Sequence, residues 1–470
     1  MKKYIYIISS VALAFLTLDS CQHEIDTFND NPNSPTELST PITLLTGAEI
    51  GTITNTTGNL PRTLSLFTQH TNGNQFQSLD YTNYFLTETD VETDWANIYQ
   101  AGVNLNQIIT QFGAQNPYYD GIARVLMAIN IGNATDVWGD VPFSQAFQGV
   151  NNLNPKYDTQ QQVISQIQSY LDTAITDFAK PASANKYIPS SNDIFYGGDL
   201  GKWTKLAYGL KARYALRLSK KDASAAQKAL QYAQLSLSSN ADNLVATFDG
   251  GNNQNLWYGF NNQRAGYMSM GKYFIDLLKS NSDPRLRYFA FNTNGQDNPS
   301  GVYSGSAPED ADLGASPIGK FAVGINTGPG TPSDGNPSQQ MIIFSYSEIK
   351  FIEAEAQFRL GNTSDAQSAL KAAISASLID VTGADNSTFA TAASSSVSLQ
   401  NIMTQKYIAL FTTLEPYNDW RRTGFPVLTP NQASQSKKIP VRLMTPKSER
   451  TLNANATVVS SMYTPVWWAN

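Results

Sequence analysis

Two stretches of the chain hold the side chains best suited to recognising a ligand. Residues 72–85 (NGNQFQSLDYTNYF) set Phe76, Tyr81 and Tyr84 among Asn72, Asn74, Gln75 and Asn83. Residues 257–267 (WYGFNNQRAGY) set Trp257, Tyr258 and Tyr267 among Asn261, Asn262 and Arg264. A sugar ring has apolar faces that lie against aromatic rings, and its hydroxyls need amide, carboxylate or guanidinium partners at the rim. Aromatics interleaved with amides are therefore what a glycan site requires. Asp80 and Arg264 are the only charges in the two stretches. A polar, nearly uncharged rim suits hydroxyls better than the charged ends of a peptide. The candidate ligand-binding residues are thus Asn74, Phe76, Tyr81, Tyr84, Trp257, Tyr258, Asn261, Arg264 and Tyr267. Core packing is the competing fate of each ring.

Catalytic chemistry has less to work with. The chain holds two histidines, His23 and His70. A zinc site of the His-x-x-x-His kind is out of reach, and a Ser-His-Asp arrangement would have to be built on His70. His70 lies in TQHTNGNQ, and no serine carries the glycine pattern of a nucleophile elbow. Among 38 Asp and Glu residues, some pair always falls at the ~5–9.5 Å that glycosidases use, so acid count argues nothing. The expectation is a binding protein without catalytic residues or cofactor. Glu309, Asp310 and Asp312, in PEDAD, invite a structural calcium ion, which takes about six to eight oxygens. Their spacing is not that of an EF-hand, and a solvated acidic loop is the alternative.

The only cysteine, Cys21, closes the opening stretch MKKYIYIISSVALAFLTLDSC. Lys2 and Lys3 precede an apolar run from Ile5 to Leu18, which is short for a membrane-spanning helix. Leu18-Asp19-Ser20-Cys21 stands where a lipoprotein signal is cut before a cysteine that receives lipid. The reading is a signal peptide over 1–20, lipid attachment at Cys21, a proline-punctuated spacer over 21–40 and one domain over 41–470. Each buried methylene of an acyl chain contributes ~0.8 kcal/mol, so several chains tether a domain durably. An ordinary signal with an incidental thiol is the plainer alternative. With no second cysteine there is no internal disulfide, and packing must hold the fold. The net charge is −6, and loss of 1–20 removes two lysines and one aspartate. An acidic chain without basic runs excludes nucleic acid as a natural partner.

The elements that must position these residues read as helices, in pairs. Apolar residues recur at three- and four-residue spacing in 92–112, 118–135 and 159–179. They recur again from Trp203 to Leu210 and from Ala226 to Leu237, with a break at Lys220–Asp222. A further pair is 344–360 and 365–379, with Gly361 as a natural C-cap and Ser364 as an N-cap. A last helix covers 398–414. Two-helix units of about 34 residues with small contact residues resemble divergent tetratricopeptide repeats, with a set of unrelated helical hairpins as the alternative. The fold class expected is mainly α, a bundle of tetratricopeptide-like helix pairs. Long irregular insertions at 57–90 and 240–340, which hold the two aromatic stretches, read as either functional or disordered. Trp95, Tyr99, Trp138, Trp203 and Trp420 fall in helical stripes or tight motifs and read as core, and Trp467 and Trp468 as a docked C-terminus. Arg421 and Arg422 should pair with Glu353 or Glu355.

The motifs in their order resemble the SusD/RagB family of surface lipoproteins, in particular its SusD-like subgroup. The resemblance rests on Cys21, on Trp95-x-x-x-Tyr99 with Asn104 and Asn106, and on Asn130–Phe143 (NIGNATDVWGDVPF). It continues through Ser282-Asp283-Pro284-Arg285, Tyr346–Leu360 (YSEIKFIEAEAQFRL), Tyr417–Gly424 (YNDWRRTG) and Val466-Trp467-Trp468. It departs in 401–420, where Lys406, Glu415 and Asp419 are the only charges. The resemblance implies a nutrient-capturing protein, lipid-anchored in the cell outer membrane and facing the exterior. Its partner would be a SusC-like TonB-dependent barrel and its cargo an oligosaccharide, with a peptide as the alternative. A free-standing helical adhesin or scaffold is the rival from outside that class.

Overall fold

A computed structural model describes residues 40–325 and 335–470. Cys21, the signal-like segment and the spacer up to residue 39 lie outside the described residues.

The chain begins with α1 (Pro41–Thr57), which starts on a proline, and α2 (Asn59–Phe67), separated by Gly58. Strand β1 (Thr71–Gly73) and α3 (Phe76–Thr82) follow, then α4 (Glu92–Gln107), which runs on as a wide turn over Ile108–Phe112. Next is α5 (Pro117–Trp138), buried along nearly its whole length. Beyond β2 (Val141–Pro142) and β3 (Tyr157–Asp158) comes α6 (Gln160–Phe178), started by a reciprocal cap between Thr159 and Gln162. Then come α7 (Leu200–Arg217), α8 (Ala225–Ala233), β4 (Leu244–Ala246), α9 (Leu256–Gln263), β5 (Met268–Met270) and α10 (Lys272–Ser280). Short helices α11 (Leu286–Phe289) and α12 (Lys320–Val323) precede β6 (Met341–Phe344). The C-terminal third holds α13 (Tyr346–Arg359), α14 (Thr363–Thr382), α15 (Ser387–Ala393), α16 (Leu399–Ala409), α17 (Glu415–Thr423) and α18 (Lys447–Leu452).

Helices pack in a running series: α1 on α4, α4 on α5, α5 on α6, α6 on α7, α7 on α8, α8 on α13 and α13 on α14. Each helix buries its apolar stripe against the next, as in helical repeat arrays. The expected helical bundle is therefore present. Among the described residues three two-stranded antiparallel ribbons form, β1–β5, β2–β3 and β4–β6, of which β1–β5 and β4–β6 pin segments distant in sequence. Trp95, Trp138, Trp203 and Trp468 are buried. Trp138 meets the edge of Trp95 at 5.3 Å, and Trp203 donates its indole N–H to Asp193 at 2.7 Å.

Three expectations need correction. The stretch 57–90 is not irregular: α2 and α3 lie in it, because Leu60, Leu64 and Phe67 bury one face of α2 despite its polar, proline-containing sequence. Likewise α9 and α10 stand inside 240–340. Helix α14 begins at Thr363 after Asn362, so Ser364 is inside the helix and does not cap it. Gly361 does adopt the left-handed conformation (φ 84°) expected after a helix end.

Buried charge stitches the helices together. Arg213 of α7 forms a two-pronged pair with Glu348 of α13, both bonds 2.7 Å. Arg217, one α7 turn on, reaches Glu415 of α17 at 2.6 Å and Asp136 of α5 at 3.1 Å. Arg422 pairs with Glu355 and with Asp419 (2.7 Å), which also takes Lys406 at 2.8 Å. The pairing of Arg422 with Glu355 was expected. Arg421 instead donates to the Val441 carbonyl and to Asn418, and Glu353 pairs with Lys350.

Candidate functional site

The two aromatic stretches meet through β1 and β5. Thr71 faces Met270, Asn72 faces Ser269 and Gly73 faces Met268. One residue on, the Asn74 amide donates to the Tyr267 carbonyl at 2.8 Å. Asn72 bridges to Ser306 (2.8 Å) and the Ala307 carbonyl (3.0 Å), and the Asn74 side chain bonds Ser269 at 2.9 Å. Gly73 is required here, since a Cβ would stand 1.8 Å from the Ser78 carbonyl oxygen.

This junction presents a file of rings. Phe76 opens α3 in a left-handed backbone conformation (φ 49°), unusual for an aromatic residue, with its side chain 66 % exposed. Its ring stacks on Tyr267, centroids 4.9 Å apart and planes 25° from parallel. Tyr267 meets the edge-on ring of Phe260 at 6.3 Å. The guanidinium of Arg62 lies over Phe260 at 4.2 Å and that of Arg264 at 5.5 Å.

Phe260 and both arginines line an open groove of about 640 Å³. Its walls are the end of α1 and start of α2 (Thr54, Asn59, Arg62), the start of α4 (Thr93, Asp94, Asn97), the 251–255 loop and α9. The Asn255 side chain caps α9 by accepting from the amides of Trp257 (2.9 Å) and Tyr258 (2.8 Å), and its own amide donates to the Gln339 carbonyl. Asp94 accepts from Asn59 at 2.8 Å. Burial raises its carboxyl to about 6, against the lowering by Asn59 and Arg62. Burial also lowers Arg62 to about 10; Asp94 opposes this, and the neighbouring Arg264 adds to it.

The structure sorts the sequence-chosen residues. Phe76 and Tyr267 stack together beside the groove, and exposed Arg264 lines it. Trp257 must be corrected: it is 1 % exposed and packed edge-on to Phe411, so its ring cannot present a face to a sugar. Tyr81, Tyr84 and Asn74 are also buried. The Tyr81 hydroxyl donates to Asp90 at 3.0 Å, and that of Tyr84 accepts from the Asn431 amide at 2.9 Å. These three brace the loop from within. Tyr258, against Gly335, and Asn261 are half-buried and do not line the groove. Glu309, Asp310 and Asp312 are exposed, and among the described residues no three His, Cys, Asp or Glu side chains are grouped to hold a metal ion. The calcium expectation finds no ligand set here. His70 is buried and away from the groove, its Nε2–H donating to the Tyr407 carbonyl at 2.9 Å.

Sequence reasoning missed Phe260, Arg62, Asp94 and Asn97. Arg62 gave no signal of its own, because α2 read as part of an irregular stretch.

A family model described as "Starch-binding associating with outer membrane", SusD-like_2, matches residues 32–446. A solved SusD/RagB family protein from Bacteroides thetaiotaomicron is 26% identical with a TM-score of 0.78, covering 92% of this chain and 99% of its own. A chitin-binding protein is 25% identical with a TM-score of 0.77, covering 92% and 100%. A chitin-binding SusD homolog from Flavobacterium johnsoniae, 20% identical, shares the fold with a TM-score of 0.76 over 91% and 98%. No curated protein matches. Among the described residues, no helix is long and apolar enough to cross a membrane.

Proposed function

The chain belongs to the SusD-like family, and from that premise we propose that it captures an oligosaccharide at the cell surface and passes it to a SusC-like TonB-dependent barrel. The observation that carries the sugar reading is the continuity of the Phe76–Tyr267 stack with the groove over Phe260. A sugar face lies on the exposed Phe76 ring, which Tyr267 backs, while its hydroxyls turn to Arg264, Gln263 and Asn97 at the rim. The chitin-binding neighbour at 25% identity supports a polysaccharide-derived cargo. Capture makes and breaks no covalent bond, so the reading asks for no catalytic group and no cofactor.

A glycan array run beside a peptide mixture tests this, followed by calorimetry on variants. Tyr267→Ala and Phe76→Ala are each expected to lose ~1–3 kcal/mol of binding, about 5- to 150-fold, the scale of uncovering one large apolar side chain. Trp257→Ala should instead lower the melting temperature, because it empties core volume. Peptide capture without a glycan signal overturns the reading, as does glycan binding indifferent to both ring deletions.

The same reading places the protein on the outer membrane through lipid on Cys21, with the following segment as a spacer. Cys21→Ala should move the protein from the membrane to the soluble fraction, and the parent should bring down a large barrel from mild detergent. If the variant stays in the membrane fraction as fully as the parent, the anchor is wrong.

A further inference from the structure

We propose that the groove selects a sugar carrying an anionic substituent, a carboxylate or a sulfate ester; this rests on the glycan reading above and names its cargo class. Of the chain's twelve arginines, eight have a carboxylate within 4 Å among the described residues. Of the other four, Arg421 and Arg442 lie away from the groove and donate to the backbone carbonyls of Val441 and Trp138. The remaining two, Arg62 and Arg264, both line the groove.

Their hydrogen-bonding capacity is largely unspent. Arg62 donates to Asn59 at 3.2 Å and makes two long contacts of 3.5 Å with the Gly58 and Leu256 carbonyls. Arg264 has its contact with the Phe260 ring and lies close enough to Arg62 to lower that group's pKa. Two like charges are thus held at one aromatic ring. Among the described residues Asp94 is the only carboxylate lining the groove; it is turned to Asn59 and makes no ion pair within 4 Å. A chain of net charge −6 therefore carries an excess of positive charge in the groove beside its exposed ring stack.

A guanidinium offers a planar fork of N–H donors matched to carboxylate and sulfate oxygens, and stacking on a ring leaves its edges free to donate. With a sugar face on Tyr267 and Phe76, an anionic group on the same or the next ring reaches the Arg62–Arg264 pair. It relieves their mutual repulsion and supplies the missing acceptors. A neutral sugar supplies acceptors but no charge to offset the repulsion.

The experiment is calorimetry of the full-length protein with trigalacturonate, its methyl ester, a sulfated trisaccharide and chitotriose, each at low and high salt. At least one anionic ligand is expected to bind ten-fold or more tighter than the methyl ester and chitotriose, an advantage that shrinks with salt. Arg264→Gln, at an exposed position, and Arg62→Gln should each remove most of that advantage, bringing the ratio of anionic to neutral affinity towards one. The uronate and sulfate arms tell the two anionic sources apart. Equal binding of trigalacturonate, its methyl ester, the sulfated sugar and chitotriose, still lost in Tyr267→Ala, overturns the charge selection and leaves the glycan reading standing. An advantage that survives both arginine variants also overturns it. Binding of an acidic peptide and of no sugar overturns both.

Discussion

Arg217→Met is expected to cost about 3–5 kcal/mol of stability, the cost of removing one partner from a buried ion pair. The Arg217 side chain is almost fully buried between Glu415 at 2.6 Å and Asp136 at 3.1 Å. Its charge separates two carboxylates: Asp136 already stands at about 6, raised by burial and by Glu415 and held down by Arg217. One Asp136 oxygen has no hydrogen-bond partner. Without the guanidinium the two acids face each other in the core, and at least one must take up a proton. The same residue holds the chain end, since its guanidinium lies 5.3 Å from the Trp468 ring. The measurement is the urea midpoint of parent and variant at pH 7. A difference under about 1 kcal/mol would show that water reaches the pair. Adding Glu415→Met to Arg217→Met should recover part of the loss, because the second change removes a stranded charge.

Acid should act on His70 with comparable force. Its imidazole is buried, stacked on Tyr407 at 3.8 Å and flanked by Phe274 and Phe411. The Tyr407 carbonyl can only accept, so Nε2 carries the proton, and Nδ1 faces the Thr68 hydroxyl at 2.9 Å. Burial drives the folded-state pKa down to about 3, against the bond to Tyr407, which raises it. As pH falls below about 6.5 the unfolded chain binds a proton that the folded chain refuses until about 3. The neutral imidazole thus costs nothing above pH 6.5, and stability drains away on acidification, on the order of 5 kcal/mol across that window. Asp94, Asp136 and Asp380, raised to about 6, act in the opposite sense, since the folded state takes their protons first. The difference between parent and His70→Gln isolates the histidine: their stability gap should narrow from pH 7 to pH 4. Imidazole nitrogen shifts give a second readout, expected to stay neutral at pH 5. A midpoint near 6.5 in the folded protein would refute this.

The helical scaffold was legible because its core positions repeat at three- and four-residue spacing and several helix starts carry side-chain caps, as at Thr159, Ser345 and Ser398. Helix α2 was not, because Gly58, Asn59 and Pro61 read as loop while tertiary burial of Leu60, Leu64 and Phe67 decides the matter. Both site stretches were recognisable by composition, but not their union: strands of three residues are too short for alternation to show. Which ring of Trp257-Tyr258-Gly259-Phe260 goes inside depends on how α9 is seated by Asn255, a contact with Gln339 that no local pattern encodes. Asp94 comes from a helix read as framework, and Arg62 from α2, which read as loop.

The β1–β5 ribbon makes two segments about two hundred positions apart inherit as one. A mutation that reshapes the 74–76 turn shifts the Tyr267 platform, and an insertion after β5 moves Phe76. Lineages adapting this scaffold to a new cargo must therefore change the two segments in concert. A chimera that exchanges one of them loses the Asn74–Tyr267 bond and the ring stack together, whereas one that exchanges both, with Ser306 and Ala307 retained as their abutment, transfers a complete specificity.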